Sequence, residues 1–329
     1  MAGSQKPLKI TGALFLLIFA FNGLAADTRS PVEKVHFLIP AGPGGGWDGT
    51  ARGVGEAMVK SGLVTDVSFE NLSGGGGGKA IAKFIETAPR QKNTLLISST
   101  PIIVRSLQKI FPQSFRDLQP VASVIADYSC FAVRADSEFQ DWQAVTKQFL
   151  SNPRKVKVAG GSVRGSTDHF VIAKALELAA GNPRKVIYIP YDGGGKAMAG
   201  LLTGETQVLS TGLSEAIEMH RAGEIRILAV TASERLVDTP DIPTLTEQGF
   251  DITFANWRGF FAAPGYAQSH YDNMALTIAG VIDTPEFEVV RARNGWAKLH
   301  IEGDAFYNYL VSQEADIGTL MRELGFLRN

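Results

Sequence analysis

Short apolar runs, glycine- or serine-rich loops and helical patterns follow one another four times along the chain. The first unit is Val35-His36-Phe37-Leu38-Ile39, then Gly42 to Asp48, then a helix with Ala51, Val54 and Met58 on one face. The second is Val67-Ser68-Phe69, then Ser73 with Gly74 to Gly78, then a helix carrying Ile81, Phe84, Ile85 and Ala88. The third is Val156 to Ala159, then Gly160 to Thr167, then a helix from about Asp168 to Ala180, closed by Gly181 and Pro183. The fourth is Val186 to Ile189, then Tyr191 to Gly195, then a helix to about Leu202. Another strand, Thr94 to Ile97, ends in the polar run Ser98-Ser99-Thr100. A 3.6-residue stripe of Phe306, Leu310, Ile317, Leu320, Met321 and Leu324 predicts a last helix packed on the core. The turns Asn152-Pro153-Arg154-Lys155 and Asn182-Pro183-Arg184-Lys185 are nearly identical, which local turn chemistry explains without a true repeat.

Strands that alternate with helices predict parallel sheets covered by helices, an α/β architecture. Ligands of such sheets sit beyond the carboxyl ends of the strands. Each loop lies at that end and opens a helix, whose first turn has unpaired N–H groups and a partial positive charge. Glycine lets a ligand approach this backbone closely. The pattern points to an anion held by several loops at once. Ser73 and Gly76 of the second loop and Thr100 at the polar end of the Thr94 strand are candidates on this pattern.

The N-terminus changes where this happens. Lys6 and Lys9 precede an apolar run from Ile10 to Phe21, and Gly23-Leu24-Ala25-Ala26 offers a small-residue cleavage site. Residues 1–25 are expected to be an export signal, cut after Ala25. Its loss removes two lysines and no acid, moving the formal charge from −1 to −3. That sign and size exclude a general nucleic-acid binder. The length suits two domains. Cys130, the only cysteine, lies among apolar neighbours and reads as a buried structural thiol.

Rival chemistries are weaker. Gly44 to Gly49 satisfies G-x-G-x-x-G, with Glu70 placed as a ribose-binding acid. Pro40 and Pro43 stiffen that turn, however, and three further glycine loops are more than one dinucleotide needs. A P-loop fails because Ser73 stands at its first glycine and Ala80 at its magnesium-binding position. The five histidines show no metal-ligand spacing, and no nucleophile motif is present. No catalytic residue, metal or cofactor is therefore expected. Asp48, Asp168 and Asp192 stand at helix starts, where capping and dipole compensation are favoured over ligand contact. Arg164 and Arg258 are the cations best placed for a carboxylate, with a surface or hinge salt bridge open to both.

Pro40 to Asp48 resembles the first loop of the substrate-binding subunits of tripartite tricarboxylate transporters, the TctC or Bug family. The likeness continues in order through Val133-Arg134-Ala135-Asp136-Ser137, Ala159 to Ser162, Tyr191 to Gly195, Leu213-Ser214-Glu215, Ile225 to Val230 and Ile242 to Gly249. It implies a two-domain periplasmic-binding-protein-like fold of type II, the ligand lying in the cleft between domains joined by crossing strands. It implies domain I at 26–125 plus 255–329 and domain II at 126–254. It places Gly45, Gly46, Trp47 and Asp48 on one side of the ligand. Ser162, Ser166, Thr167, Tyr191, Asp192, Thr211 and Ser214 fall on the other. It implies a monomer that delivers a small carboxylate to large and small membrane subunits. The glycine triplets of the first and fourth loops, with Leu213-Ser214-Glu215 and Arg258-Gly259-Phe260, look most like the citrate-binding branch; another mono- or dicarboxylate is the alternative. Many members carry an aspartate near Gly212. Its absence argues against a ligand with an amino group.

Overall fold

The computed structural model describes residues 32–327, so the expected export signal lies outside the described residues. The first part of the chain runs β1 (Lys34–Ile39), α1 (Gly46–Lys60), β2 (Asp66–Asn71), α2 (Gly78–Glu86), β3 (Thr94–Ser99) and α3 (Pro101–Leu107). The long β4 (Gln119–Arg134) leads to α4 (Trp142–Ser151), β5 (Lys157–Gly160), α5 (Thr167–Leu178), β6 (Ile187–Pro190), α6 (Gly194–Leu202), β7 (Val208–Gly212), α7 (Leu213–Arg221) and β8 (Ile225–Val230). The chain returns through β9 (Ala255–Ala262), α8 (Gln268–Ile282), α9 (Pro285–Arg293), β10 (Ala297–Glu302) and α10 (Gly303–Glu323).

The strands form one continuous path, β2-β1-β3-β9-β4-β7-β5-β6, with β8 and β10 also paired to β4. The outer flanks are parallel: β1 with β2 and β3, and β5 with β6 and β7. The centre is antiparallel, through β9 and β4. Strand β4 spans both halves. Gln119 to Tyr128 pair with β9, whereas Ser129 to Arg134 pair with β7 and β8. This is an α/β fold of the periplasmic-binding-protein type.

Each unit read from the sequence is present. The helices form for ordinary reasons. Asp141 Oδ1 accepts from Ala144 N–H at 2.7 Å to cap α4, and Thr284 caps α9 ahead of Pro285. The Asn152 and Asn182 side chains each accept from the backbone N–H two residues on, at 3.1 and 3.0 Å, so the twin turns are local chemistry. Ala88 falls just beyond α2, in a 3₁₀ turn that contains Pro89.

Three apolar clusters hold the sheet. One packs Val54, Met274 and Trp296 against Phe37, Leu95 and Phe260. Another packs Met198, Leu201 and Ile217 against Leu209 and Ile227. The third runs through both halves, from Phe84, Trp257 and Phe306 to Phe131, Trp142 and Phe170. Phe306, Leu310, Ile317, Met321 and Leu324 of the C-terminal stripe are buried in it, as a core-packing helix requires.

Candidate functional site

The carboxyl ends of β1, β2, β3, β5 and β6 converge on a cleft of about 440 Å³. Eleven of the sequence candidates line it. Gly45, Gly46, Trp47, Ser73, Gly76 and Arg258 come from one half. Ser162, Ser166, Thr167, Tyr191 and Asp192 come from the other. Ser73 Oγ donates to Asp192 Oδ1 at 3.2 Å, so the two halves touch across the mouth. Trp47 Nε1–H donates to Ser99 Oγ at 2.8 Å, which fixes its ring against the cleft wall. Tyr191 lines the cleft, but its hydroxyl packs on Gly200 of α6.

Five candidates sit elsewhere, each for a local reason. Asp48 is tucked beneath the first loop. Its carboxylate accepts from Gly44 N–H, Arg52 Nε and Asn71 Nδ2, all at 2.9 Å. Burial pushes its pKa up, but these donors outweigh burial and hold it below the usual value. Asp48 therefore orders the loop. Thr100 is buried at the start of α3, its N–H donating to Asn256 Oδ1 at 3.2 Å. Arg164 turns away from the cleft and donates to the Tyr188 carbonyl at 2.5 Å. Thr211 donates to Glu215 Oε2. Ser214 Oγ donates to Asp127 Oδ2 at 2.6 Å, and its N–H to Oδ1 at 3.2 Å.

Several residues missed in the sequence decide the electrostatics. Arg105, on α3, is 4% exposed and lies against Gly76. One Nη donates to Gln108 Oε1 at 3.1 Å, its Nε–H has no partner, and no carboxylate among the described residues pairs with it. Burial lowers its pKa, with the Tyr188 hydroxyl opposing. Arg258, the other arginine of the cleft, differs. Its Nη2 meets Asp127 Oδ2 at 2.6 Å and its Nη1 meets Thr50 Oγ1 at 2.9 Å. A Cβ at Gly46 would overlap that guanidinium, so glycine is required there for packing.

The helix N-termini are less vacant than the loops suggested. Asp168 accepts from Ser162 N–H at 2.9 Å, at the foot of the third loop. Burial, then the nearby Glu215, push its pKa to about 7. Glu215 itself lies against Gly194, the first residue of α6, where any side chain would collide with it. The protein thus supplies its own carboxylates to three of its four glycine loops.

Glu70, which a dinucleotide site would need, instead pairs with Lys83 at 2.7 Å. Among the described residues no cluster of metal-ligating side chains occurs, and no helix is long and apolar enough to cross a membrane.

A family profile described as "Tripartite tricarboxylate transporter family receptor" (TctC) matches residues 50–326. The chain belongs to the TctC family. As a TctC protein it is a solute receptor of a tripartite transporter, and its partners are membrane permease subunits rather than a substrate to be turned over. It is similar to a Pseudomonas sp. (strain P51) protein named for the tcbD-tcbE intergenic region. The two share 29% identity over 262 residues, covering 78% of this chain and 76% of that one. Its fold is that of the periplasmic binding protein BugD, with a TM-score of 0.81 and 21% identity over 91% of this chain and all of BugD. MatC from Rhodopseudomonas palustris, solved with malate bound, aligns with a TM-score of 0.77 and 20% identity over 88% of this chain and 99% of MatC.

Proposed function

We propose that this TctC receptor captures a small carboxylate in the cleft between its two sheet halves and delivers it to a permease with one large and one small membrane subunit. Arg105 carries the reading. A buried guanidinium without a carboxylate partner is costly. A ligand carboxylate is the group that would complete it, in a bidentate geometry suited to arginine. Gly76 lies against that guanidinium, and Ser73 and the first-loop glycines Gly45 and Gly46 line the same cleft.

The two bodies of the receptor are residues 26–125 with 255–329, and residues 126–254. The protein acts as a monomer in the periplasm, after removal of a leader that ends at Ala25. Of the sequence candidates, those that line the cleft are retained as ligand contacts, with Arg105 added. Citrate would ask for three anion partners. Arg105 is the one cleft cation without a carboxylate partner among the described residues, which favours the alternative of an acid with fewer carboxylates.

Arg105→Met tests the reading against a panel of citrate, tricarballylate, succinate, malate and glutamate. A charged hydrogen-bond partner contributes about 1.5–3 kcal/mol. Any acid that raises the melting temperature of the wild type should bind the variant about 10- to 100-fold more weakly. The melting temperature of the ligand-free variant should be unchanged or higher. Equal affinity in both proteins would refute the assignment.

A further inference from the structure

The third loop has two faces. Ser162, Val163, Ser166, Thr167 and Asp168 line the cleft, whereas Arg164, Gly165 and His169 line a second cavity of about 380 Å³ that shares no lining residue with it. The rest of this cavity comes from both halves of the molecule, with Pro183, Arg184 and Val186 from one and Gln108 and Leu324 to Phe326 from the other. Gln108 ties the two walls, since its Nε2 donates to the Gly165 carbonyl at 2.9 Å while its Oε1 is spent on Arg105. No aspartate or glutamate lines the cavity, and Glu323, beside Leu324, lies 3.9 Å from Lys174 instead. The remaining polar side chains all donate. Arg184 has no hydrogen-bond or ion-pair partner among the described residues, and its guanidinium lies against Gly325. Arg164 gives one Nη to the Tyr188 carbonyl and meets no acid among the described residues. Buried His169 accepts from Gly165 N–H at 2.9 Å through Nδ1, which places its proton on Nε2. That Nε2–H has no partner among the described residues. Burial, then Arg164, lower the His169 pKa to about 4, so the ring is a neutral donor at pH 7.

We infer that this cavity is a second anion site, built for a phosphate group held by Arg184, by His169 Nε2–H and by the free donors of Arg164. Two guanidinium groups share a cavity without an acid, and an anion between them offsets their repulsion. Arginine forks suit phosphate oxygens in paired hydrogen bonds. A carboxylate offers its oxygens in one plane, whereas a phosphate group directs them tetrahedrally, towards donors that come from separate points of the chain. A phosphate group also carries about −1.5 to −2 charge at pH 7. Val186, Leu324 and Phe326 give the cavity an apolar side with room for an organic substituent, so the free ion and a phosphate monoester share the chemistry. The site is independent of the solute in the cleft. Its occupant would join the end of α10 to the third loop at a point that the solute does not touch.

The test is calorimetry on the full mature receptor, freed of bound solute, in phosphate-free buffer of low salt at neutral pH. Inorganic phosphate and phenyl phosphate are the probes. The expected result is saturable binding of one equivalent of at least one of them. Tighter binding of phenyl phosphate marks the site as one for a monoester, and tighter binding of inorganic phosphate as one for the free ion. Arg184→Gln should weaken the binding at least about tenfold, and Arg184→Lys should weaken it less. Arg184 is exposed, so both variants should fold as the wild type does. Arg105→Met, which removes the free cation of the cleft, should change phosphate affinity by less than about threefold. The inference is overturned if neither probe binds saturably, or if Arg184→Gln binds like the wild type. It is overturned equally if Arg105→Met abolishes binding, which would put the phosphate in the cleft. None of these outcomes bears on the carboxylate reading of the cleft, which has its own test.

Discussion

Arg258 Nη2 lies 2.6 Å from Asp127 Oδ2, and the pair joins four elements at the floor of the cleft. Arg258 is on β9 and Asp127 on β4. Thr50 of α1 holds one end of the network and Ser214 of α7 the other. The pair is 3% and 0% exposed, so water cannot replace either partner. Asp127→Ala should therefore destabilise the protein by about 3–5 kcal/mol, because it strands a buried guanidinium. Replacing both residues, with Asp127→Leu and Arg258→Met, should cost less than the single change. Urea unfolding of the three proteins checks this, and a single variant that unfolds like the wild type would refute it.

Asp168 predicts a pH signature. Its folded pKa of about 7 lies above the ordinary aspartate value of 3.8. Below about pH 3 both folded and unfolded chains hold the proton, and this group takes nothing from stability. As pH rises towards 7 the unfolded chain ionises first, so stability falls. At about 1.4 kcal/mol per pKa unit the loss is on the order of 4 kcal/mol. Asp168→Asn keeps an acceptor for Ser162 N–H and removes the charge. Its stability should match the wild type at about pH 3 and exceed it at about pH 8, measured by urea midpoints at each pH. A constant difference across that range would contradict the assignment.

Arg164 is a negative control. Its side chain donates to the Tyr188 carbonyl and does not line the cleft. Arg164→Ala should leave ligand affinity within about twofold, because the lost hydrogen bond is to a backbone carbonyl outside the cleft. A large loss would return Arg164 to the site.

Cys130 is fully buried on β4, and burial, then Asp127, Glu215 and Asp168, drive its pKa well above normal. A thiol in that state is unreactive. A colorimetric thiol reagent should label the native protein only as fast as it opens, and at once in denaturing urea. Rapid labelling without denaturant would show that this part of β4 is accessible.

The strand-loop-helix units were legible because their punctuation is local. Glycine, proline and asparagine fix turns wherever they occur, and the apolar periods between them need no partner to be read. Ser73, Ser162 and Ser166 line the cleft as read, since they sit on loops whose position in an α/β sheet is dictated by topology. Arg105, Asp127 and Glu215 were not found, since each projects from inside a helix or strand and gains its role only when another element approaches. Two of them left a trace. Arg105 ends the apolar run Pro101-Ile102-Ile103-Val104, and Asp127 is the lone acid between Val121 and Phe131. A charge set into such a run is expensive to bury unless something pairs with it. The five candidates that do not line the cleft share the opposite history. Asp48, Thr100, Arg164, Thr211 and Ser214 have the right residue types on the right segments, but each is turned towards its own loop, helix start or neighbouring strand.

Strand β4 carries one further consequence. Its hydrogen bonds pass from β9 to β7 and β8 without a break at Tyr128 and Ser129. Two bodies linked by a loose loop would swing freely, whereas here any rotation between the halves must be stored as twist along a continuous ribbon. Such a joint behaves as a torsion spring, with a rest angle and a restoring force. The tightness of ligand binding is then set partly by how far the spring is wound when the cleft is full.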